Sequence, residues 1–288
     1  NRQLRLPHKL PTRPYKLGLR SEKEGIMEKK ILYLLTCVGL CWSSCTNEVD
    51  EFIGNVEPST RSVSTALNAN LASLFTGGAP TLTSAEIKEV NDAYAKMTSI
   101  NCYRNIDEAV RNKTSYAGTI FLDDTYASAY FRKGSLAFPP YGILASSMEH
   151  EFIHMYQRDV QGKKVDTDKE KRDTGMMEFE LAFYQGIIRY IHAGYSWTFK
   201  GEDGDPSYQS LWTSGLTDPS LIPQYEREFQ TYVASICANG KPTSIDINEF
   251  VKWSNIFGEY SRGYSGKGYK FGNYDYGTSC INSLLKLY

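Results

Sequence analysis

The five residues His150-Glu151-Phe152-Ile153-His154 restrict the fold of this chain more than any other short segment. Two histidines four residues apart lie on one face of an α-helix, one turn from each other. Both imidazole rings can then reach one metal ion, and Glu151, about 100° around the helix, is close enough to meet a water on that metal. The motif therefore predicts a helix that carries two zinc ligands, His150 and His154, and a general base, Glu151.

A third ligand has to come from another element, because catalytic zinc typically takes three protein ligands and one water. Residues 155–164 contain no histidine, and the other histidines are His8 and His192. This scarcity favours a carboxylate as the third ligand.

The helix predicted from Thr174 onward offers two carboxylates, Glu178 and Glu180, which point to nearly opposite sides. On a helical wheel Glu180 falls in the middle of the apolar arc, whereas Glu178 falls on the polar side beside Gln185 and Arg189. A carboxylate in a buried stripe costs on the order of several kcal/mol unless something compensates its charge, and a zinc ion would. We therefore predict Glu180 as the third ligand and keep Glu178 as the alternative.

The pattern around the motif predicts an α+β fold that is mostly helical. Thr83 and Glu86 have the spacing of a helix-capping pattern, and Gly118–Asp124 and Ser135–Phe138 are predicted as short strands. The apolar periodicity indicates helices over 63–75, 87–97, 143–158, 174–193, 219–238, 245–260 and 278–288.

Residues 27–44 have the composition of an export signal, in which a basic start precedes an apolar run from Ile31 to Trp42. Ser43-Ser44-Cys45 resembles a lipobox of the Bacteroidetes type, although Trp42 departs from the pattern, and the resemblance implies lipidation of Cys45. Simple secretion is the alternative. We interpret residues 1–26 as a start site assigned too far upstream and 45–62 as an acidic and polar tether, which leaves 63–288 as the folded domain.

The charge of the chain argues against nucleic-acid binding, and its cysteines argue against a disulfide framework or a cysteine metal site. The net charge of −1 gives no global basic field for nucleic acid. After export and lipidation Cys102, Cys237 and Cys280 remain, so one disulfide can form and at least one thiol stays free. None of the three has the spacing of a cysteine metal site.

With His150, Glu151, His154 and a downstream helical glutamate, residues 118–193 resemble the gluzincin branch of the zincin-like metallopeptidases. The resemblance implies a small sheet whose edge strand packs on the motif helix and pairs with the substrate backbone. It also implies Zn²⁺ bound by His150, His154 and Glu180, with Glu151 activating a zinc-bound water for peptide-bond hydrolysis.

The expected protein is thus a zinc metallopeptidase, and within that class an endopeptidase, that acts on peptides or proteins outside the cytoplasm. It is expected as a monomer anchored by lipid to the outer membrane or cell surface. The alternative is a non-catalytic surface lipoprotein that binds substrate or glycan on the same scaffold.

The resemblance also implies a side chain that stabilises the oxyanion, and the sequence leaves its identity open. Tyr184, His192, Tyr195 and the tyrosines of Tyr260–Tyr276 are all within reach along the chain. The Gly- and Tyr-rich segment Gly258–Gly277 reads either as a mobile loop at a substrate cleft or as an ordered surface loop.

Overall fold

The computed structural model describes residues 66–163, 171–192, 199–200, 206–207, 216–261, 264 and 268–288. The predicted export signal, Cys45 and the 45–62 tether lie outside this range. Within it, none of the helices combines the length and apolar character that a membrane span requires. Among the described residues no disulfide joins Cys102, Cys237 and Cys280, so the bridge left open by the sequence is not formed there.

The described residues are mostly helical with a small sheet, in agreement with the prediction of a mostly helical α+β fold. In chain order the helices are α1 Ala69–Leu74, α2 Ser84–Ser99, α3 Asn101–Lys113, α4 Ala145–Met155, α5 Lys171–His192, α6 Ile222–Ile236, α7 Ile247–Tyr260 and α8 Ser279–Leu285. The strands are β1 Ile120–Leu122, β2 Tyr130–Arg132, β3 Ser135–Phe138, β4 Phe199–Lys200, β5 Pro206–Ser207, β6 Cys237–Ala238 and β7 Lys241–Pro242.

The start of α2 shows how local sequence sets an element. The Thr83 side chain accepts a hydrogen bond from the Glu86 backbone N–H, and the Glu86 carboxylate accepts one from the Thr83 N–H. These two bonds satisfy donors that every helix start leaves unpaired. The predicted capping pattern is confirmed.

The main sheet has three short strands in the order β1-β3-β2, which makes β2 an edge strand. Strand β1 runs parallel to β3, and β2 runs antiparallel to it with Phe131 opposite Leu136. Lys133 and Gly134 join β2 to β3 with φ values of 50° and 78°, the left-handed pair that a two-residue hairpin favours. This tight turn fixes the register of the edge strand.

Helix α4, which carries the motif, is the centre of the packing. It contacts α2, α3, α5 and the edge strand β2. Its inward side chains Met148, Phe152, Ile153 and Met155 are fully buried. Helix α5 packs on α4 with one face and on α6 and α7 with another. The second contact is an aromatic cluster of Phe179, Phe183, Phe229, Phe250, Trp253 and Phe257. Two packed helices, α4 and α5, therefore meet next to one sheet edge.

Candidate metal centre

Helix α4 presents the two motif histidines side by side. The ring centroids of His150 and His154 are 4.7 Å apart, and their Nε2 atoms are 3.1 Å apart. This is the one-turn spacing that the sequence predicted. The buried side chains on the opposite face of α4 fix the helix rotation, so both Nε2 atoms point to the same small volume.

Helix α5 contributes a carboxylate to that volume, and it belongs to Glu178. Its Oε1 lies 3.3 Å from His154 Nε2, and its Oε2 lies 3.8 Å from His150 Nε2. The three side chains offer one donor atom each within 4.8 Å of one another, the arrangement of a group that could hold a metal ion. Exposed fractions of 16%, 17% and 20% make the side chains of His150, His154 and Glu178 partly exposed.

The structure groups Glu178 with the two histidines, and not Glu180, which the sequence predicted as the third ligand. Glu180 is fully buried, as the helical wheel indicated, but its Oε2 accepts hydrogen bonds from Gln157 Nε2 at 2.8 Å and Tyr276 Oη at 2.9 Å. These neutral donors offset part of the cost of burying the carboxylate, and they do so without a metal. Glu178 lies at the boundary of the apolar arc, where a side chain can meet both α4 and solvent.

Without a metal, the charges of His150, His154 and Glu178 strongly affect one another's pKa values. Burial and the neighbouring His154 lower the pKa of His150 to about 4. Burial works against a charged His154, but the Glu178 carboxylate outweighs it and raises the pKa of His154 to about 9. Burial likewise opposes a charged Glu178, and the two histidines overcome it and lower its pKa to about 2. The raised pKa of His154 and the lowered pKa of Glu178 both favour an ion pair between these side chains, whose Nε2 and Oε1 atoms lie 3.3 Å apart.

Glu151 lies beside this group, where a general base would be needed. Its Oε1 is 4.0 Å from His150 Nε2, and the backbone of Phe131 on the edge strand opposes the rise in its pKa that burial causes. The side chain is 5% exposed, and burial raises its pKa to about 7. A carboxylate with a pKa near neutrality can both accept and return a proton.

Of the residues considered for oxyanion stabilisation, only tyrosines after α7 reach the site among the described residues. The Tyr264 hydroxyl donates to Glu178 Oε2 at 2.8 Å. Tyr184 lies in the interior against Tyr103, and His192 packs on Tyr288. Tyr195 lies outside the described residues.

Two further residues were missed by sequence reasoning. Gln157 contacts His154 and Glu180, and its position three residues after His154 on a helical pattern is a signal that could have found it. Phe131 takes part through its backbone, which no residue type in the sequence reveals.

Comparisons of this chain with protein-family models, with curated proteins and with solved structures found no match. Function is therefore inferred from the chemistry of the side chains on α4, α5 and the edge strand.

Proposed function

We propose that His150, His154 and Glu178 bind a zinc ion and that the protein hydrolyses peptide bonds. The observation that carries the proposal is the convergence of two imidazole Nε2 atoms and one carboxylate on a single point, with a second carboxylate, Glu151, alongside. A structural ion pair would need neither the second histidine nor the adjacent Glu151.

The donor set fits zinc in chemistry and in spacing. Zinc accepts nitrogen and oxygen ligands, and ligands about 2.0–2.1 Å from a tetrahedral zinc lie about 3.3 Å from one another. The distances of 3.1 Å between the two Nε2 atoms and 3.3 Å from His154 to Glu178 are close to that value. Three protein ligands also leave one position open, which distinguishes a catalytic zinc site from a structural one.

The residues around the group supply the remaining functions of a hydrolase. A bound zinc ion would polarise the scissile carbonyl and make a water more acidic. Glu151 takes the proton of the attacking water and passes it to the leaving amine. Tyr264, whose hydroxyl already lies at Glu178, is the residue we assign to stabilise the carbonyl oxygen as negative charge develops there.

The edge strand supplies a place for an extended peptide. In β2, Phe131 lies opposite Leu136, whose N–H bonds to the Thr119 carbonyl. By the alternation of an antiparallel ladder, the polar backbone groups of Phe131 therefore face away from β3. A peptide that adds to this edge by backbone hydrogen bonds passes directly in front of Glu151. The substrate class this favours is an extended polypeptide segment.

The proposed location follows from the sequence alone. The signal-like residues 27–44 and the lipobox-like Cys45 would place the enzyme outside the cytoplasm, held to a membrane by lipid. Peptides and proteins in that compartment are then its substrates.

The test is metal content and peptide cleavage by the purified protein, with Glu151→Gln and the matched variant Glu149→Gln. Glu149 precedes the motif on the same helix, but its side chain is buried in the interior, where burial raises its pKa to about 7 against the opposing influence of Arg189. We expect one zinc per chain in all three proteins. Cleavage of a peptide library, read by mass spectrometry, should fall about 10²–10⁴-fold in Glu151→Gln alone.

Three results would count against the proposal. Absence of bound zinc in the unmodified protein rules out the metal site. Equal cleavage by the unmodified protein and Glu151→Gln rules out Glu151 as the base. Zinc bound without cleavage of any library peptide leaves a metal-dependent binding protein instead of a peptidase.

A further inference from the structure

The amide of Gln157 is held from both ends in the interior of the protein. Gln157 is fully buried, and its Nε2 donates to the backbone carbonyl of Met177 at 3.0 Å and to Glu180 Oε2 at 2.8 Å. Its Oε1 lies 2.8 Å from His154 Nδ1. One side chain therefore links the metal group to the buried carboxylate of α5.

The two partners of Nε2 decide which way the amide points. The Met177 carbonyl can only accept, and Glu180 Oε2 already accepts from the Tyr276 hydroxyl. A flipped amide would set its oxygen against both acceptors, which is unfavourable in a buried position. Gln157 Oε1 consequently faces His154 and accepts the proton of its Nδ1–H.

The backbone after the motif makes this contact geometrically available. Helix α4 ends at Met155 and continues as one π-helical turn, Tyr156–Val160, in which the Gln161 N–H bonds to the Tyr156 carbonyl. Single π-helical turns of this kind are frequent at functional sites. The turn carries Gln157 at its second position, next to His154 and facing α5.

We propose that Gln157, oriented by Glu180, is a positioning residue that fixes His154 as the Nδ1–H tautomer, so that the Nε2 lone pair points at the metal. This inference rests on the proposed metal site. It gives buried Glu180 a role one step removed from the metal. Removing an outer partner of this kind typically costs 10–100-fold in metal affinity.

The experiment measures zinc affinity by competition with a chromophoric chelator, together with the melting temperature of the metal-free protein. Gln157→Leu should weaken zinc binding about 10–100-fold. Glu180→Gln keeps an oxygen acceptor for Gln157 Nε2 and should stay within about threefold of the unmodified protein, below the range for a lost partner. Gln185→Leu changes a buried glutamine of α5 that lies outside the metal group; it is the matched control for Gln157→Leu and should leave zinc affinity unchanged.

A purely structural role predicts a different pattern. Both Gln157→Leu and Gln185→Leu would then lower the melting temperature, and neither would change zinc affinity. The double variant Gln157→Leu/Glu180→Leu adds a further check. If Glu180 acts through Gln157, the double variant should bind zinc no more weakly than Gln157→Leu alone.

His150→Ala separates this inference from the metal site itself. Zinc affinity lost in His150→Ala but within twofold of the unmodified protein in Gln157→Leu would overturn the positioning role and leave the metal site standing. Zinc affinity unchanged in both variants would overturn the metal site, and the positioning role with it.

Discussion

Glu178 and Glu180 lie two residues apart on α5 and have opposite environments. Glu178 is 20% exposed and faces two histidines, which lower its pKa to about 2. Glu180 is fully buried among neutral donors, and burial raises its pKa. One helix therefore carries a carboxylate that stays charged to meet cations and another that serves as a hydrogen-bond acceptor in the core.

The difference teaches that burial alone does not identify a metal ligand. A buried carboxylate needs compensation, and hydrogen bonds from Gln157 and Tyr276 to Glu180 Oε2 supply part of it without a cation. A catalytic ligand also has to line a space that substrate can enter. That second requirement selects Glu178, at the margin of the apolar face.

The largest expected effect comes from making the same substitution at both positions. Glu178→Gln removes a charged ligand and should weaken zinc binding more than about 100-fold, beyond the range for outer partners. Glu180→Gln should change zinc affinity by no more than about threefold, since its contact with Gln157 survives. Equal losses of zinc affinity in the two variants, measured by chelator competition, would contradict the assignment of Glu178, and not Glu180, as the ligand.

A second matched pair uses the tyrosines that contact the two carboxylates. Tyr264→Phe should lower kcat/KM about 10–100-fold, because it removes the hydroxyl that we assign to the oxyanion. Tyr276→Phe removes a buried bond to Glu180 and should cost about 1–2 kcal/mol of unfolding free energy, with kcat/KM changed less than about tenfold. A larger kinetic loss in Tyr276→Phe would reverse the assignment.

The smallest expected effect is on the pH dependence of the unfolding free energy of the metal-free protein. This dependence should have opposite signs for Glu178 and Glu180. The folded-state pKa of Glu178 is lowered, so its stabilising contribution is present above the unfolded value and is lost as pH falls through about 2. The pKa of its partner His154 is raised, so that contribution is full below the unfolded value and is lost as pH rises through about 9.

Glu180 should behave in the opposite way from Glu178. Its folded-state pKa is raised by burial, with Gln157, Tyr276, Cys280 and Lys163 opposing that shift. The charged form therefore costs stability as pH rises above the unfolded value. Relative to the unmodified protein, Glu180→Gln should gain stability with rising pH, whereas Glu178→Gln should lose stability near neutrality. Urea unfolding in chelator-treated buffer measures both.

Much of the helical framework could be predicted because its apolar periodicity is long and regular. The helix predicted over 174–193 is observed at Lys171–His192, and the one predicted over 245–260 is observed at Ile247–Tyr260. Helix α3, Asn101–Lys113, was missed although its buried residues follow a helical period. The edge strand Tyr130–Arg132 was missed as a strand because three residues ending in an arginine carry almost no alternation signal.

In the metal group, the spacing of the two histidines depends on one helix and could be predicted. The choice of the carboxylate depends on how two helices pack and could not. His150 and His154 were brought together as their spacing indicated. The choice between Glu178 and Glu180 depends on how α5 is rotated against α4 and on donors from Gln157 and Tyr276. Neither is contained in the periodicity of α5 itself.

The most direct test of the metal site is anomalous diffraction at the zinc absorption edge from crystals of the protein grown with one equivalent of zinc. We predict a single strong anomalous peak, about 2.0–2.1 Å from His150 Nε2, His154 Nε2 and a Glu178 carboxylate oxygen. In the same map Glu180 should remain bonded to Gln157. A peak ligated by Glu180, or no peak between α4 and α5, would contradict the assignment.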